Sequence, residues 1–558
     1  MKEKYSVKIA GPAGYGIMES GRILGQALTS LGFEVLVYPE YPSRIRGGDN
    51  VIIVSFSSFG PILPEAKNDV VVALNKESFL LHQKEIKHNG FLLVDEEVEA
   101  GDLTVSALPL TKIALDQVGR EIARNIVALG AIFGLFSFPL EFLEKEISKN
   151  LADKGEKVVA GNLAAAKEGY QLGKKDRFAR KITFLSNKKN KEKKLFLTGN
   201  EALSWGAIEA RCAFASIYPM TPINSILTDL AEKSEQRAIT IFNPEDEIAG
   251  INSAIGASFA GKRSLVATSG GGFSLMVEGF TMAGAAEIPL VVIEGMRAGP
   301  STGMATWTSQ EDLLFLIRAG NGEFSRIVFT PGDPQEAFRL IFEAFNLADN
   351  YQLPVIVVTD KYLSESAFSI PKFNKKNLKL KIDRGKLLTT DLPANYQRYQ
   401  LTSDWVSPRA LPGQGVFLTN SYNHDEAGFS IEDGAIREKM KKKLLKKLDT
   451  LDDPGFTAYG PENALQTIIC WGSTKMAVWG AVDNLPGKVN ALHFYRPWPF
   501  SRAAREAIQK TRKLVAVENN STAQLAQLVR QETGQKVDKK ILKDNGRPFF
   551  TQEIEKAL

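Results

Sequence analysis

Cysteine is nearly missing from this 558-residue chain: Cys212 and Cys470 stand alone, far apart. Two such thiols exclude a disulfide framework, a four-cysteine zinc site and an iron–sulfur cluster held by this chain. They suit a reducing, cytoplasmic setting. Histidine is almost as scarce, with His82, His88, His424 and His493 and no pair one helical turn apart. A helix-borne zinc site is therefore not encoded, and no metal ligand is assigned to the chain. No apolar run reaches the roughly 18 residues that a bilayer span takes. The most apolar stretch, residues 126–136, is interrupted by glycine and reads as a buried core helix rather than a membrane segment. Met1 to Tyr5 lead straight into a strand pattern, without a signal-peptide apolar stretch. Charge of one sign is lacking too. The 69 basic side chains face 64 acidic ones, a net charge of +5, which is too thin for a nucleic-acid binder without a local patch.

What is present is ordinary globular material, 44% hydrophobic and 24% charged. The length implies about three to five domains. Residues 1–185 alternate strand-like and helix-like segments, with strands expected at 7–10, 33–38, 51–56, 70–74, 91–94 and 103–107. That alternation predicts an α/β fold with a parallel, doubly wound sheet. The lysine-rich linker 186–194 follows and reads as a solvated connector. A second β/α region spans 195–375. From 376 to 455 the periodicity weakens into an extended connection. It ends in a helix-like stretch, 436–448, whose six lysines predict an exposed amphipathic helix. A last small β/α unit occupies 456–558. No fixed-period repeat stands out, so a solenoid is disfavoured.

Gly11-Pro12-Ala13-Gly14-Tyr15-Gly16 follows the first strand and opens a helix. Unpaired backbone N–H groups and the helix dipole favour an anion there. The spacing is G-x-x-G-x-G rather than that of a dinucleotide fingerprint, although Glu40 lies where such a fold keeps its ribose acid. A dinucleotide site and a plain tight turn both stay open. Ser43-Arg44-Ile45-Arg46-Gly47-Gly48 adds two arginines suited to phosphate beside accessible backbone, or else forms a solvated basic turn. Gly256 to Arg263 nearly spells a P-loop. Arg263 stands where Ser or Thr should reach Mg²⁺, and the run before it is helical, so that reading is rejected.

The densest constellation lies in the second region. Tyr218-Pro219-Met220-Thr221-Pro222, Asn243-Pro244-Glu245-Asp246-Glu247, Thr268-Ser269-Gly270-Gly271-Gly272 and residues 296–303 each follow a strand. Ligands of open α/β sheets bind outside the carboxyl ends of the strands. Four loops rich in Gly, Pro, Thr, acid and Arg are therefore expected to converge on one cleft.

These segments resemble the α subunit of 2-oxoacid:ferredoxin oxidoreductases, through Tyr218–Pro222, Glu247–Gly250, Thr268–Gly271 and Arg297–Gly303. The first region resembles that family's γ subunit, with Gly14, Gly16 and Arg46-Gly47-Gly48 in place. The tail resembles its transketolase C-terminal-like domain, through Trp471-Gly472-Ser473, Tyr495–Pro499, Glu518-Asn519-Asn520 and Gly546-Arg547-Pro548-Phe549. The chain thus reads as γ fused to α. Residues 322–328 and 348–355 are most similar to the 2-oxoglutarate branch. Pro12 and Tyr15 depart from the family's glycine loop.

The resemblance implies three α/β domains: a γ-type domain, a doubly wound domain binding the pyrimidine of thiamine diphosphate, and a transketolase C-terminal-like domain. It implies oxidative decarboxylation of a 2-oxoacid with coenzyme A (CoA) to acyl-CoA, CO₂ and reduced ferredoxin. It casts Glu247 as the acid on the cofactor's aminopyrimidine, with Glu245 and Asp246 as competitors. Arg297 would pair with the substrate carboxylate, and Thr221 would hydrogen-bond the substrate. Tyr218, Pro219, Thr268, Ser269, Gly270 and Gly271 would line the pyrimidine pocket. Gly14, Gly16, Arg44, Arg46 and Gly47 would serve CoA. The sequence has no G-D-G…N segment for the Mg²⁺–diphosphate and no cluster cysteines. A β subunit is therefore expected to supply both, in an αβ or (αβ)₂ complex that reduces ferredoxin. The alternatives are an NAD-type nucleotide-binding oxidoreductase and a non-catalytic scaffold subunit.

Overall fold

The computed structural model describes residues 4–43, 47–58, 63–100, 105–179, 193–373, 380–390 and 392–558. They fall into two units, Met1–Thr198 with Glu365–Lys372, and Gly199–Ser364 with Phe373–Leu558.

The first unit is built on one sheet. Its strands are β1 (Lys4–Pro12), β2 (Glu34–Glu40), β3 (Asp49–Ser57), β4 (Asn68–Ala73), β5 (Ile86–Asp95), β6 (Val105–Leu108), β7 (Leu195–Thr198) and, far along the chain, β14 (Ala367–Ile370). They lie in the order β6-β5-β4-β1-β3-β2-β14-β7. β1, β4, β5 and β6 are parallel, as expected. β3 is antiparallel to both β1 and β2, so the sheet is mixed. The cause is local: only a short loop joins β2 to β3, and a parallel return needs a crossover of a dozen or more residues.

This order removes the premise of the dinucleotide reading. β2 is separated from β1 by β3, so Glu40, buried at the end of β2, does not stand beside the glycine turn. β7 also departs from expectation. It pairs with β14, which pairs with β2, and so belongs to the first unit rather than to the second region. Its partner strand lies some way along the chain, beyond the reach of local periodicity.

The apolar stretch is the helix Arg124–Leu135, every residue of which is buried. It packs on the helix Glu156–Lys175 through reciprocal glycines. A Cβ at Gly130, Gly134, Gly169 or Gly173 would run into backbone of the facing helix. Among the described residues no helix is long and apolar enough to cross a membrane. The linker residues 186–192 lie outside the described residues.

The second unit carries two sheets. One holds β8 (Phe214–Ile217), β9 (Thr240–Phe242), β10 (Ser264–Thr268), β11 (Leu290–Met296), β12 (Ile327–Phe329) and β13 (Pro354–Asp360). All are parallel, in the order β12-β13-β11-β10-β8-β9. Near-continuous apolar runs such as Val355-Ile356-Val357-Val358 are what a sheet covered on both faces demands. The other sheet is β15 (Phe456–Tyr459), β16 (Gln466–Trp471), β17 (Val489–Phe494), β18 (Leu514–Glu518) and β19 (Lys539–Leu542), ordered β15-β17-β16-β18-β19. One hydrophobic core runs through both, from Ile251, Val266 and Phe280 to Ile469, Trp471 and Phe494.

The basic helix, Gly434–Lys446, is not wholly exposed. Lys443 and the following Lys447 are buried on the carboxylate of Glu287, itself fully buried. Amphipathic spacing assigns lysine to solvent. Here an acid far away in sequence supplies the counter-charge that lets two lysines go inside. The near-P-loop is structural as well. Arg263 is buried, with its Nε 2.8 Å from Asp349 Oδ2, and Gly261 turns the chain at φ +95°.

Candidate active site

β8 is followed in space by β9 on one side and β10 on the other. Strand order therefore reverses at β8, which opens a crevice at the carboxyl ends of β8 and β10. The loops after β8, β9, β10 and β11 come from four neighbouring strands, so the structure brings the four sequence segments to one edge.

The loop after β9 resolves three adjacent carboxylates into three jobs. Glu245 is exposed. Asp246 is the N-cap of the helix Glu247–Phe259 and accepts the Ala249 N–H at 2.8 Å, a capping bond worth about 1 kcal/mol. Glu247, the first helical residue, is buried at 4% exposure, and its Oε1 has no hydrogen-bond partner. Leaving such an atom unpaired costs about 1–3 kcal/mol.

Glu247 faces the turn after β10. A Cβ on Gly272 would sit 2.5 Å from Glu247 Oε1 and closer still to Thr268 Oγ1, so only glycine permits this approach. Ser269 precedes the helix Gly270–Ala285 with its Oγ buried and unpartnered. In front of Gly271 lies open space. Tyr218 and Pro219 are exposed at the end of β8, as are Phe242 and Ile248 nearby in sequence to Glu247.

Arg297 follows β11 and reaches back to the first loop. Its Nη1 donates to the Thr221 carbonyl at 3.2 Å, while its Nε is buried without a partner. Gly295 allows this closeness, since a Cβ there would meet Ile223 Cγ2 at 2.6 Å. Burial lowers the Arg297 pKa from the usual arginine value, and Glu294 opposes the shift.

Glu294 is a site residue that the sequence reading missed. It is fully buried on β11, in register with Thr268 on β10. Burial holds its pKa well above the ordinary carboxylate range, and Asp312 and Asp360 add to the rise. Asp312 is itself pushed up to about 6, by burial and then by Glu311, and its carboxylate occupies the place a Gly270 Cβ would take. Glu294 and Asp312 thus place two acids with raised pKa values near the turn after β10, and both Glu294 oxygens are buried without a hydrogen-bond partner. The available signal was a single carboxylate inside an otherwise apolar strand.

In the first unit, the structure brings the two glycine loops together: the Ala13 N–H donates to Gly48 O at 3.2 Å. Gly14, Gly16 and Gly47 all take positive φ, at 89°, 70° and 76°. The helix Ile17–Ser30 starts directly after Gly16. Arg124 and Asn125, which sequence reading passed over, sit at this turn. The Arg124 guanidinium lies 4.6 Å from the Tyr15 ring centroid and donates to Leu74 O, and Asn125 donates to Tyr15 O. Arg44 and Arg46 lie outside the described residues.

A family model described as pyruvate flavodoxin/ferredoxin oxidoreductase, thiamine diP-binding, matches residues 205–442. Another, described as pyruvate ferredoxin/flavodoxin oxidoreductase, matches residues 6–172. The 2-oxoacid:ferredoxin oxidoreductase 2 subunit alpha of Aeropyrum pernix is 32% identical, over 99% of this chain and 97% of that protein. The 2-oxoglutarate oxidoreductase subunit KorA of Mycobacterium tuberculosis is 26% identical, over 99% and 90%. Among solved structures, the 2-oxoglutarate:ferredoxin oxidoreductase of Magnetococcus marinus, with 2-oxoglutarate, coenzyme A and succinyl-CoA bound, is 30% identical. It covers 100% of this chain and 99% of its own, with a TM-score of 0.92.

Proposed function

The chain belongs to the α subunits of the 2-oxoacid:ferredoxin oxidoreductase family, and on that premise we propose that the edge of β8–β11 is its half of a thiamine diphosphate site and that its substrate is 2-oxoglutarate. The chain is an oxidoreductase subunit of a multi-subunit enzyme, with a thiamine diphosphate-binding domain. The observation that carries the site is the buried, partnerless Oε1 of Glu247 opposite Gly272 and beside open space at Gly271.

The residues present fit the cofactor's aminopyrimidine. Glu247 offers a free carboxyl oxygen in a dry place, Ser269 a free hydroxyl, and the open space at Gly271 admits a flat ring. When bound, thiamine diphosphate supplies a nucleophilic carbon and an electron sink for decarboxylation. Glu247 holds and returns a proton at Oε1, a general acid–base role typically worth 10²- to 10⁴-fold, on the order of 10³-fold here. Arg297 pairs with the substrate's 2-oxo carboxylate by a charge-assisted hydrogen bond, and Thr221 donates its hydroxyl to the same group. Tyr218 and Pro219 form the lip of the site.

The β subunit is assigned the Mg²⁺-bound diphosphate and the iron–sulfur cluster, because this sequence has only two cysteines and no G-D-G…N segment. An αβ or (αβ)₂ cytoplasmic complex then passes electrons to ferredoxin. CoA is assigned to the glycine loops of the first unit, through Gly14, Gly16 and Gly47, with Arg44 and Arg46 assigned to its phosphates from the sequence alone. The 2-oxoglutarate assignment is supported by the names of the relatives from Mycobacterium tuberculosis and Magnetococcus marinus.

The experiment is purification through a tag on this chain, with companions identified by mass and iron measured. CoA-dependent reduction of a viologen dye is then compared for 2-oxoglutarate, pyruvate and branched 2-oxoacids. The expected outcome is an iron-containing complex most active with 2-oxoglutarate. Preference for another acid would overturn the substrate assignment alone. A lone, iron-free chain would overturn the shared site.

A further inference from the structure

The segment after Arg297 is tied to the C-terminal lobe, residues 456–558, by a set of hydrogen bonds. Gln310 is fully buried and makes four of them. Its N–H donates to Asn519 O at 2.8 Å, and its Oε1 accepts the Asn519 N–H at 2.9 Å. Its Nε2 donates to Trp471 O at 2.8 Å, and its carbonyl accepts from Asn520 Nδ2 at 2.9 Å. Gly472 makes the approach possible, because a Cβ there would lie 2.9 Å from Gln310 Nε2. Two further points flank this pin: Thr308 N–H donates to Gly546 O at 3.0 Å, and Gln524 Nε2 donates to Glu311 O. Three motifs of the tail, around Trp471, Asn519 and Gly546, therefore end on one short stretch, Thr308 to Glu311.

That stretch reaches the substrate arginine by one contact. Glu311 Oε2 accepts the Gly299 N–H at 2.8 Å, two residues past Arg297. The turn between them is closed by Met304 N–H to Ala298 O at 2.9 Å and Ala298 N–H to Trp307 O at 3.1 Å. A carboxylate accepting a backbone amide is a strong, directional bond. Its own backbone is fixed by the lobe through Gln310 and Gln524.

We propose that Glu311 is a positioning residue for Arg297, and that the C-terminal lobe serves the reaction by holding Glu311 through Gln310 and Gln524. The inference rests on Arg297 meeting the substrate carboxylate. The lobe touches no reacting atom; it sets the angle at which the guanidinium is presented, and small errors in such placement cost far more in rate than in stability.

The test uses the complex assembled with its β partner. Steady-state constants for 2-oxoacid and CoA are measured for R297A, E311A, E311Q and the double variant R297A/E311A. E311A is expected to raise the 2-oxoacid KM on the order of tenfold, as loss of one charge-assisted bond implies, and to leave the CoA KM and the melting temperature near those of the parent. E311Q keeps an acceptor oxygen for Gly299 and should stay within about twofold. The double variant should be no worse than R297A. If R297A itself leaves the 2-oxoacid KM unchanged, the substrate site is wrong. If R297A raises it and E311A does not, or if E311Q fails like E311A, the positioning role is wrong while the site stands. Should E311A not assemble, Q524A loosens Glu311 from the lobe side. An unchanged 2-oxoacid KM in Q524A likewise overturns the positioning role.

Discussion

Each of the two units places a glycine-rich turn between a parallel strand and a helix, but the polar side chains around the turns behave differently. At the turn after β1, Arg124 and Asn125 spend donors on the backbone carbonyls of Leu74 and Tyr15, while Arg124 Nε and Asn125 Oδ1 are buried without a partner; the side chains here are a cation and an amide. What the loop offers a ligand is backbone N–H groups and the start of a helix. At the turn after β10, Glu247 Oε1 and Ser269 Oγ are buried and bonded to nothing. A carrier's phosphates need only well-placed amides. A proton transfer needs an ionisable side-chain atom kept free, and at the second turn that atom belongs to a carboxylate. On the proposed function, the first turn serves mainly through backbone amides and the second through side chains.

Substitutions sharpen or break this contrast, beginning with the largest effect. Glu247→Gln should lower turnover about 10³-fold with the complex still assembled; near-normal turnover would remove the side-chain-made site. Arg297→Ala comes next, with a 2-oxoacid KM raised about 10- to 100-fold or a matching fall in kcat. Unchanged constants would free Arg297 of its role. Gly16→Ala in the first unit should be milder. It forces a Cβ at φ +70° to within 3.2 Å of Asn125 Nδ2, and should raise the CoA KM about threefold to tenfold, the scale of roughly 1 kcal/mol of backbone strain. The 2-oxoacid KM should not move. If it moves instead of the CoA KM, the assignment of CoA to this loop fails.

The smallest effect is on stability against pH, where the units oppose each other. In the first, His82 lies between Asp49 at 2.7 Å and Glu85 at 2.8 Å. Burial lowers its pKa, but the bonds to Asp49 and Glu85 outweigh burial and raise it. Its contribution is therefore complete below about pH 6.5 and is lost as pH climbs through the raised value. In the second, His493 is pushed down to about 4 by burial, against the pull of Glu336. It must gain a proton on unfolding in acid, so stability falls as pH drops from about 6.5 toward that value. Thermal melts across pH 5 to 8 should show His82→Gln losing most at the acid end, and His493→Gln flattening the acid-side decline. The same slope in both variants would show that the two histidines do not differ as their surroundings imply.

Much of this was legible in the residues. Strand, glycine turn and helix follow each other at Gly11–Gly16 and Thr268–Gly272, as the local pattern implies. That the loops carrying Tyr218, Glu247, Thr268 and Arg297 leave one edge of a sheet was legible too, because a parallel sheet puts all its carboxyl ends on one side. Less legible was which of Glu245, Asp246 and Glu247 is free, since only backbone geometry assigns Asp246 to the helix cap.

The sequence by itself determined the local alternation of strands and helices, the helix that buries residues 126–135, and the chemistry carried by each loop. Only the tertiary structure decided that β3 runs backwards between β1 and β2, that β7 and β14 complete the first sheet, that Lys443 and Lys447 go inside, and that Gln310 locks onto Asn519. The reversal of β3 against β2 follows from the short loop between them, but its place beside β1 and each of the other features depend on a partner tens to hundreds of residues away. Periodicity reports which face of an element is apolar; it carries no information on which distant strand, carboxylate or carbonyl will meet that face once the chain has closed.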